Sequence, residues 1–214
     1  AVALATGQAW IASGSDLGGS LRNPASFCSV VGLRPSPGRV AYGATGEGAF
    51  PADLFGIPGQ PFSVAGPMAR NVSDVALLLD AMVGHHPRDP ISLPRTTTSY
   101  IDAVKSRTKP KKVAFSRDLG VTPVDPAVAD ICEKAAKRFE QLGCIVEEAH
   151  PDFSDVQDIF QTWRAMSFYV GKKSLLDTNK DLLKPEVVWN IEQAAEITVD
   201  DFARVELARA RYLD

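Results

Sequence analysis

Several signals that would assign the sequence to a large functional class are absent from it. The 214 residues contain three widely spaced cysteines, Cys28, Cys132 and Cys144, and no Cys-x-x-Cys pair. This excludes a disulfide framework and favours a reducing, cytoplasmic compartment. No apolar run approaches the length of about 18 residues that a membrane span needs. The 23 Lys and Arg against 26 Asp and Glu, a net charge of −3, give no reason to expect a nucleic acid or a membrane as a partner.

Motifs for nucleotides and for one common hydrolase fold are missing as well. A phosphate-binding P-loop needs a lysine directly after glycine, yet the first lysine of the chain is Lys105. A dinucleotide-binding Gly-x-Gly-x-x-Gly is absent, and no Gly-x-Ser-x-Gly elbow surrounds Ser20. The sequence therefore predicts no cofactor and no metal.

The two ends of the chain both have helical patterns. The first residues, Ala1 to Ala5, read as the inside of a helix, and the first methionine is Met68. The last residues, Phe202 to Asp214, repeat apolar positions at helical spacing with no Gly or Pro stop after them. With 45% apolar and 23% charged residues the chain is an ordinary globular sequence. We expect it to be a fragment, incomplete at both ends, of a longer protein.

Periodicity and turn residues predict an α/β chain. Short strands are expected around Trp10–Ala12 and Val30–Leu33, and a long loop from Ala41 to Gln60. Residues 71–84 predict a helix capped by Asn71. Residues 111–148 predict a parallel βαβ unit with Asp125 as the helix N-cap and Pro126 at its first position. Further helices are predicted over residues 155–178, 185–197 and 199–213.

The most informative segment surrounds a serine that follows two glycines. Gly18 and Gly19 let the backbone turn sharply before Ser20 and expose successive N–H groups. Such donors suit an anion or a developing oxyanion. From the residues alone, a nucleophilic serine, a phosphate cradle and a tight structural turn all remain open.

Two charged residues and a proline bear on the same loop. Asp16 and Arg22 are opposite in charge and six residues apart, so they are expected to hold the ends of the loop together. Pro24 predicts the first position of a short helix just after Ser20, whose N-terminal partial positive charge would face the site.

The stretch from Gly14 to Ser36, which includes Gly-Ser-Asp-Leu-Gly-Gly-Ser-Leu-Arg-Asn-Pro, closely resembles the amidase signature family. A second stretch from Ala65 to Asp80, followed by Asp89 and Pro90, resembles the continuation of that signature. The Leu-Arg-Asn-Pro and Arg-Pro-Ser-Pro-Gly-Arg variants look most similar to the bacterial branch that includes cyclic-amide and nylon-oligomer hydrolases. The match is specific over residues 1–90 and one of general layout over residues 110–214.

The resemblance implies a hydrolase that uses serine, a cis-serine and lysine. The positions it implies are a nucleophile at Ser20, oxyanion-hole N–H groups at Leu17, Gly18, Gly19 and Ser20, and loop-bracing side chains at Asp16 and Arg22. The family's cis-serine and lysine belong before Ala1, so the chain contains neither. We therefore expect the 214-residue chain by itself to be inactive.

The resemblance also sets the expected fold and partners. It implies a mixed twisted sheet flanked by helices within a single amidase signature domain. Residues 1–90 would form its active-site portion, and residues 91–214 a βαβ unit plus a helical portion. The expected substrate is a small-molecule amide cleaved through an acyl-enzyme, with a homodimer as a possible assembly. Two alternatives stay open: the amidase subunit of a tRNA-dependent amidotransferase, and a non-catalytic remnant.

Overall fold

A computed structural model describes residues 1–42, 62–106 and 108–212 of the chain. The loop predicted from Ala41 to Gln60 lies almost wholly outside the described residues. The chain divides into two compact units, Ala1–Thr108 and Lys109–Asp214. None of the described helices is long and apolar enough to cross a membrane.

The first unit combines short helices with a small antiparallel sheet. Its elements are α1 (Val2–Ala5), β1 (Ile11–Asp16), α2 (Arg22–Phe27), β2 (Val31–Gly32), β3 (Val64–Ala69), α3 (Val72–Met82) and α4 (Tyr100–Ser106). The central strand β3 pairs antiparallel with β1 on one side and with β2 on the other. Asp16 faces Val64 at the end of the β1–β3 ladder, so the chain leaves the sheet at Asp16 and enters the serine loop.

Two glycines of this sheet lie so close to backbone carbonyl oxygens that no side chain fits. A Cβ on Gly66 would lie 2.3 Å from the Leu33 carbonyl oxygen, and one on Gly32 would lie 2.4 Å from the Leu21 carbonyl oxygen. Only glycine tolerates such contacts. Leu21 and Leu4 are fully buried and form a core cluster with Ala25 and Met68. This cluster anchors the residue that directly follows Ser20.

Helix α3 covers another part of the same unit. The Asn71 side chain accepts a hydrogen bond from the Asp74 N–H at 2.9 Å, as the capping prediction requires. Leu79 packs with Val40 and Val83 in a second core cluster.

The second unit begins with the predicted βαβ arrangement. Strand β4 (Lys112–Phe115) pairs in parallel with β5 (Ile145–Glu148), and α5 (Pro126–Gln141) connects them. The Asp125 carboxylate caps α5 by accepting the Ala127 N–H at 2.8 Å and the Val128 N–H at 3.4 Å. Gly143 follows α5 with a φ of 79°, a value that favours glycine at this position.

Three helices complete the second unit: α6 (Val156–Asn179), α7 (Pro185–Gln193) and α8 (Val199–Arg211). Thr198 and Asp201 form a capping box at the start of α8. Glu206 of α8 accepts a hydrogen bond from the Trp163 Nε1–H of α6 at 2.6 Å and pairs with Arg209 at 2.7 Å. The prediction of an α/β fold is thus confirmed, with a three-stranded antiparallel sheet and a two-stranded parallel pair among the described residues.

Replacing Asp125 tests whether its capping carboxylate stabilises α5. Asp125→Ala removes the acceptor for two N–H groups and should lower the free energy of unfolding by about 1 kcal/mol. Chemical denaturation measures the change. Asp125→Ser retains a capping oxygen and should lose much less. Equal losses in the two variants would contradict the capping role.

Candidate active site

Ser20 lies in the turn that joins β1 to α2. Its side chain is exposed, whereas the next residue, Leu21, is fully buried in the core. The buried leucine fixes the end of the turn and leaves the serine hydroxyl accessible. Among the described residues, the Ser20 side chain makes no hydrogen bond. The hydroxyl is therefore available to an external reactant.

The prediction that Pro24 opens the following helix is wrong. Helix α2 begins at Arg22, so Pro24 is its third residue. The first-turn N–H groups of any helix have no partner inside it, which is why proline is tolerated there as well as at the first position. The helix starts two residues earlier than predicted, immediately after the serine turn.

The carboxylate of Asp16 organises the whole turn. It is fully buried and accepts the Gly19 N–H at 2.7 Å and the Leu21 N–H at 3.2 Å. The Arg22 guanidinium makes two further hydrogen bonds, one to each carboxylate oxygen, at 3.0 Å. The predicted pairing of Asp16 with Arg22 is thus present in a bidentate form, and the backbone of the turn is tied to the same carboxylate.

These contacts determine the charge state of Asp16. Burial raises the pKa of the carboxyl, but the Arg22 guanidinium and the Gly19 and Leu21 N–H groups lower it more. The net result is a pKa well below the usual range, so Asp16 is ionised at neutral pH. A buried, ionised and fully engaged carboxylate holds the loop and does not transfer protons.

Arg34 is a residue of the site that sequence reasoning missed. Its guanidinium donates to the Asp16 backbone carbonyl and to the Asp16 Oδ1, the latter at 3.2 Å. It also donates to the Phe62 carbonyl at 2.7 Å, which ties the turn to the segment that leads into β3. Burial, the largest effect, lowers the pKa of Arg34, while the Asp16 charge opposes the change. Arg34 lies within the Gly14–Ser36 stretch, but no local spacing connects it with Asp16.

The expected oxyanion donors divide into two groups. The Gly19 N–H is bonded to Asp16, so the prediction of Gly19 as a donor is corrected: its hydrogen is already used. Among the described residues, the N–H groups of Leu17, Gly18 and Ser20 make no hydrogen bond. Three of the four predicted donors therefore remain available beside the exposed Ser20.

Gly19 itself is fixed by conformation. Its φ is 104°, and a Cβ at this position would lie 2.7 Å from the Asn23 Nδ2. An L side chain rarely adopts such a φ, so glycine is required for the turn. The Gly19 carbonyl accepts the Asn23 N–H at 2.7 Å and so connects the turn to α2.

A pH titration of stability tests the role of Asp16. Because its pKa in the folded chain lies below the unfolded value of about 3.9, the ionised carboxylate stabilises the fold above that pH. This contribution is lost as the pH falls below about 4. Asp16→Asn should lower the unfolding free energy at pH 7 by roughly 3 kcal/mol, because two guanidinium groups lose their partner.

The variant should also lose less stability on acidification than the parent. Denaturant unfolding between pH 7 and pH 2 measures both effects. Asp102→Asn changes an exposed aspartate on α4 and serves as the matched control for the substitution itself. Superimposable profiles for the parent and Asp16→Asn would show that Asp16 is not the titrating group.

Comparison with known proteins identifies the family of the chain. The amidase family profile matches residues 1–205. An acylamidase of Rhodococcus erythropolis is 31% identical over 214 residues, which is 99% of this chain and 43% of that protein. A glutamyl-tRNA(Gln) amidotransferase subunit of Moorella thermoacetica is 41% identical over 147 residues, which is 68% of this chain and 28% of that protein.

Solved structures of amide hydrolases also resemble this chain. A bacterial aryl acylamidase of the amidase signature family superimposes with a TM-score of 0.82 at 26% identity, covering 97% of this chain and 43% of that one. A 6-aminohexanoate cyclic dimer hydrolase gives a TM-score of 0.77 at 26% identity, with coverage of 98% and 44%. The expected likeness to cyclic-amide hydrolases is thus confirmed, and the chain spans less than half of each of these proteins. The chain belongs to the amidase family.

Proposed function

We propose that the protein hydrolyses an amide bond, with Ser20 as the nucleophile. The observation that supports this is the exposed Ser20 hydroxyl beside three N–H groups that bond to none of the described residues, in a turn held by the buried Asp16 carboxylate. The Ser20 oxygen attacks the carbonyl carbon, and the carbonyl oxygen becomes an oxyanion. The carbon–nitrogen bond then breaks, the amine leaves with a proton, and water hydrolyses the resulting ester.

The turn stabilises the charge that develops during this attack. The N–H groups of Leu17, Gly18 and Ser20 are the proposed donors to the oxyanion. Donors that are fixed in place before reaction need no reorganisation, and each contributes on the order of a hundredfold to a thousandfold in rate. Asp16, Arg22 and Arg34 act as positioning residues, because they hold the backbone of the turn without reaching the reacting atoms.

A serine hydroxyl needs a base to become an effective nucleophile. The likeness to the amidase signature family supplies a proposal: a lysine whose pKa is lowered by burial, acting through a serine that relays the proton. The resemblance implies neither position among these 214 residues, so Ser20 and its donors form one part of the proposed machinery. The same relay would return the proton to the leaving amine.

The relatives support a small carboxamide as the substrate. Three of the proteins matched over nearly the whole chain are named for acylamidase, aryl acylamidase and cyclic-dimer hydrolase activities. A cytoplasmic location fits the three cysteines, which are free thiols in the structure. The homodimer stays a prediction from the sequence.

Replacing the nucleophile tests the proposal. In protein expressed from the complete reading frame, Ser20→Ala should lower the hydrolysis of a 4-nitroanilide by at least about a thousandfold. Release of nitroaniline measures the rate. Ser26→Ala removes an exposed hydroxyl from α2 and should leave the rate unchanged. Unimpaired hydrolysis by a folded Ser20→Ala protein would rule out Ser20 as the nucleophile.

The 214-residue chain provides a separate test of the missing base. It should show no Ser20-dependent hydrolysis of the same anilide, because it has the nucleophile and its donors without the lysine relay. Turnover by this chain that Ser20→Ala abolishes would overturn the argument for an absent base.

The amidotransferase subunit is a second candidate, supported by 41% identity over 147 residues. It predicts release of ammonia from glutamine and co-purification with partner subunits. The first candidate predicts anilide hydrolysis by the purified protein with no partner. Assaying both substrates on the same preparation distinguishes the two candidates.

A further inference from the structure

A small cavity lies between two helices of the second unit, α6 and α7. Its volume is about 190 Å³. A cavity of about 150 Å³ holds a benzene-sized molecule, so this one has room for a ring that carries a small polar group. Trp189 of α7 lines the cavity and is half exposed, so a ligand can enter from solvent.

The walls of the cavity carry polar groups that lack partners among the described residues. Thr162 of α6 and Asn190 of α7 are only 8% and 3% exposed. The Asn190 Nδ2 donates to the Glu186 carbonyl at 2.6 Å, whereas its Oδ1 accepts no hydrogen bond and the Thr162 hydroxyl makes none. Neither of these two oxygens is sealed from solvent. Buried polar groups are nearly always hydrogen-bonded, so both oxygens indicate a partner inside the cavity.

The charge on the walls favours a neutral ligand. Among the described residues that line the cavity, Asp158 alone is charged, and it pairs with Arg204 of α8. Two side-chain amides, Gln161 and Gln193, also line the cavity and make no hydrogen bond with a described residue. The cavity therefore offers neutral donors and acceptors and no unpaired charge that would hold an ion.

The hydrogen-bonding capacity of the walls narrows the ligand further. The Asn190 Oδ1 is an acceptor and needs a donor, and the Thr162 hydroxyl can donate to a carbonyl. The Trp189 ring provides a flat apolar surface beside them. A primary carboxamide on a small ring combines an N–H donor, a carbonyl acceptor and a flat apolar group in one neutral molecule.

We propose that the cavity between α6 and α7 binds a small primary carboxamide. The Asn190 Oδ1 accepts an amide N–H, the Thr162 hydroxyl donates to the amide carbonyl, and the ring lies against Trp189. Binding here forms and breaks no covalent bond and uses no residue of the serine turn. The proposal is therefore independent of amide hydrolysis at Ser20.

Fluorine nuclear magnetic resonance of protein labelled with fluorotryptophan tests the proposal. Protein from the complete reading frame carries Ser20→Ala, so that no amide is consumed, and is titrated with benzamide. The Trp189 signal is assigned by its disappearance in Trp189→Phe. Trp163 of α6 does not line the cavity and supplies the internal control. Acetophenone, which has a methyl group in place of the amide nitrogen, is titrated in parallel.

A saturable shift of the Trp189 signal with benzamide is the expected result. Acetophenone should bind at least about tenfold more weakly, because its methyl group leaves the Asn190 Oδ1 without a donor. No saturable shift at Trp189, or equal affinities for the two compounds, overturns the proposal. Both titrations use one protein, so a misfolded variant of the cavity does not affect this answer.

A pair of threonine variants places the amide carbonyl. Thr162→Val keeps the shape of the side chain but removes its hydroxyl, and it should weaken benzamide binding by roughly tenfold. Thr178→Val removes an exposed hydroxyl from the same helix and should leave the affinity unchanged. Equal affinities in folded Thr162→Val and Thr178→Val proteins would contradict the proposed contact with Thr162.

Discussion

The candidate active site around Ser20 depends on the hydrogen bonds and ion pairs of the buried Asp16 carboxylate. Asp16 is the last residue of strand β1. Its carboxylate accepts two backbone N–H groups of the serine turn and binds two arginines. Burying a carboxylate is costly unless its oxygens are hydrogen-bonded and its charge is matched. Here the oxygens accept hydrogen bonds from N–H and guanidinium donors, so the charge is retained and the backbone of the turn is tied to Asp16. The exposed Ser20 hydroxyl and its neighbouring N–H groups owe their positions to this arrangement.

Much of the fold follows from local rules that can be read in the sequence. Helix α3 begins after Asn71 and α5 after Asp125, because each side chain meets the N–H groups that the first turn leaves without partners. The βαβ unit follows from two short strands that flank an amphipathic helix. The pairing of Asp16 with Arg22 was predicted from opposite charges at short separation.

The parts that sequence reasoning missed depend on which groups bind Asp16, and one of these contacts, with Arg34, joins distant residues. Arg34 reaches Asp16 because β2 and β3 bring the chain back beside β1, and no periodic pattern encodes that return. The Gly19 N–H was assigned to an oxyanion, yet the nearby Asp16 carboxylate takes it first. Helix α2 starts at Arg22, two residues before Pro24, directly after Leu21, whose N–H is bonded to Asp16. The contact of Asp16 with Gly19 is local, but spacing alone does not show which N–H groups a carboxylate accepts.

Trapping the acyl-enzyme identifies the nucleophile by the residue that carries the acyl group. Protein from the complete reading frame is mixed with an acyl anilide, quenched with acid during turnover and digested with trypsin. We expect the acyl mass on Ser20, within the tryptic peptide that ends at Arg22. An acyl group found on any other residue, or steady turnover with no acylated peptide, would contradict it.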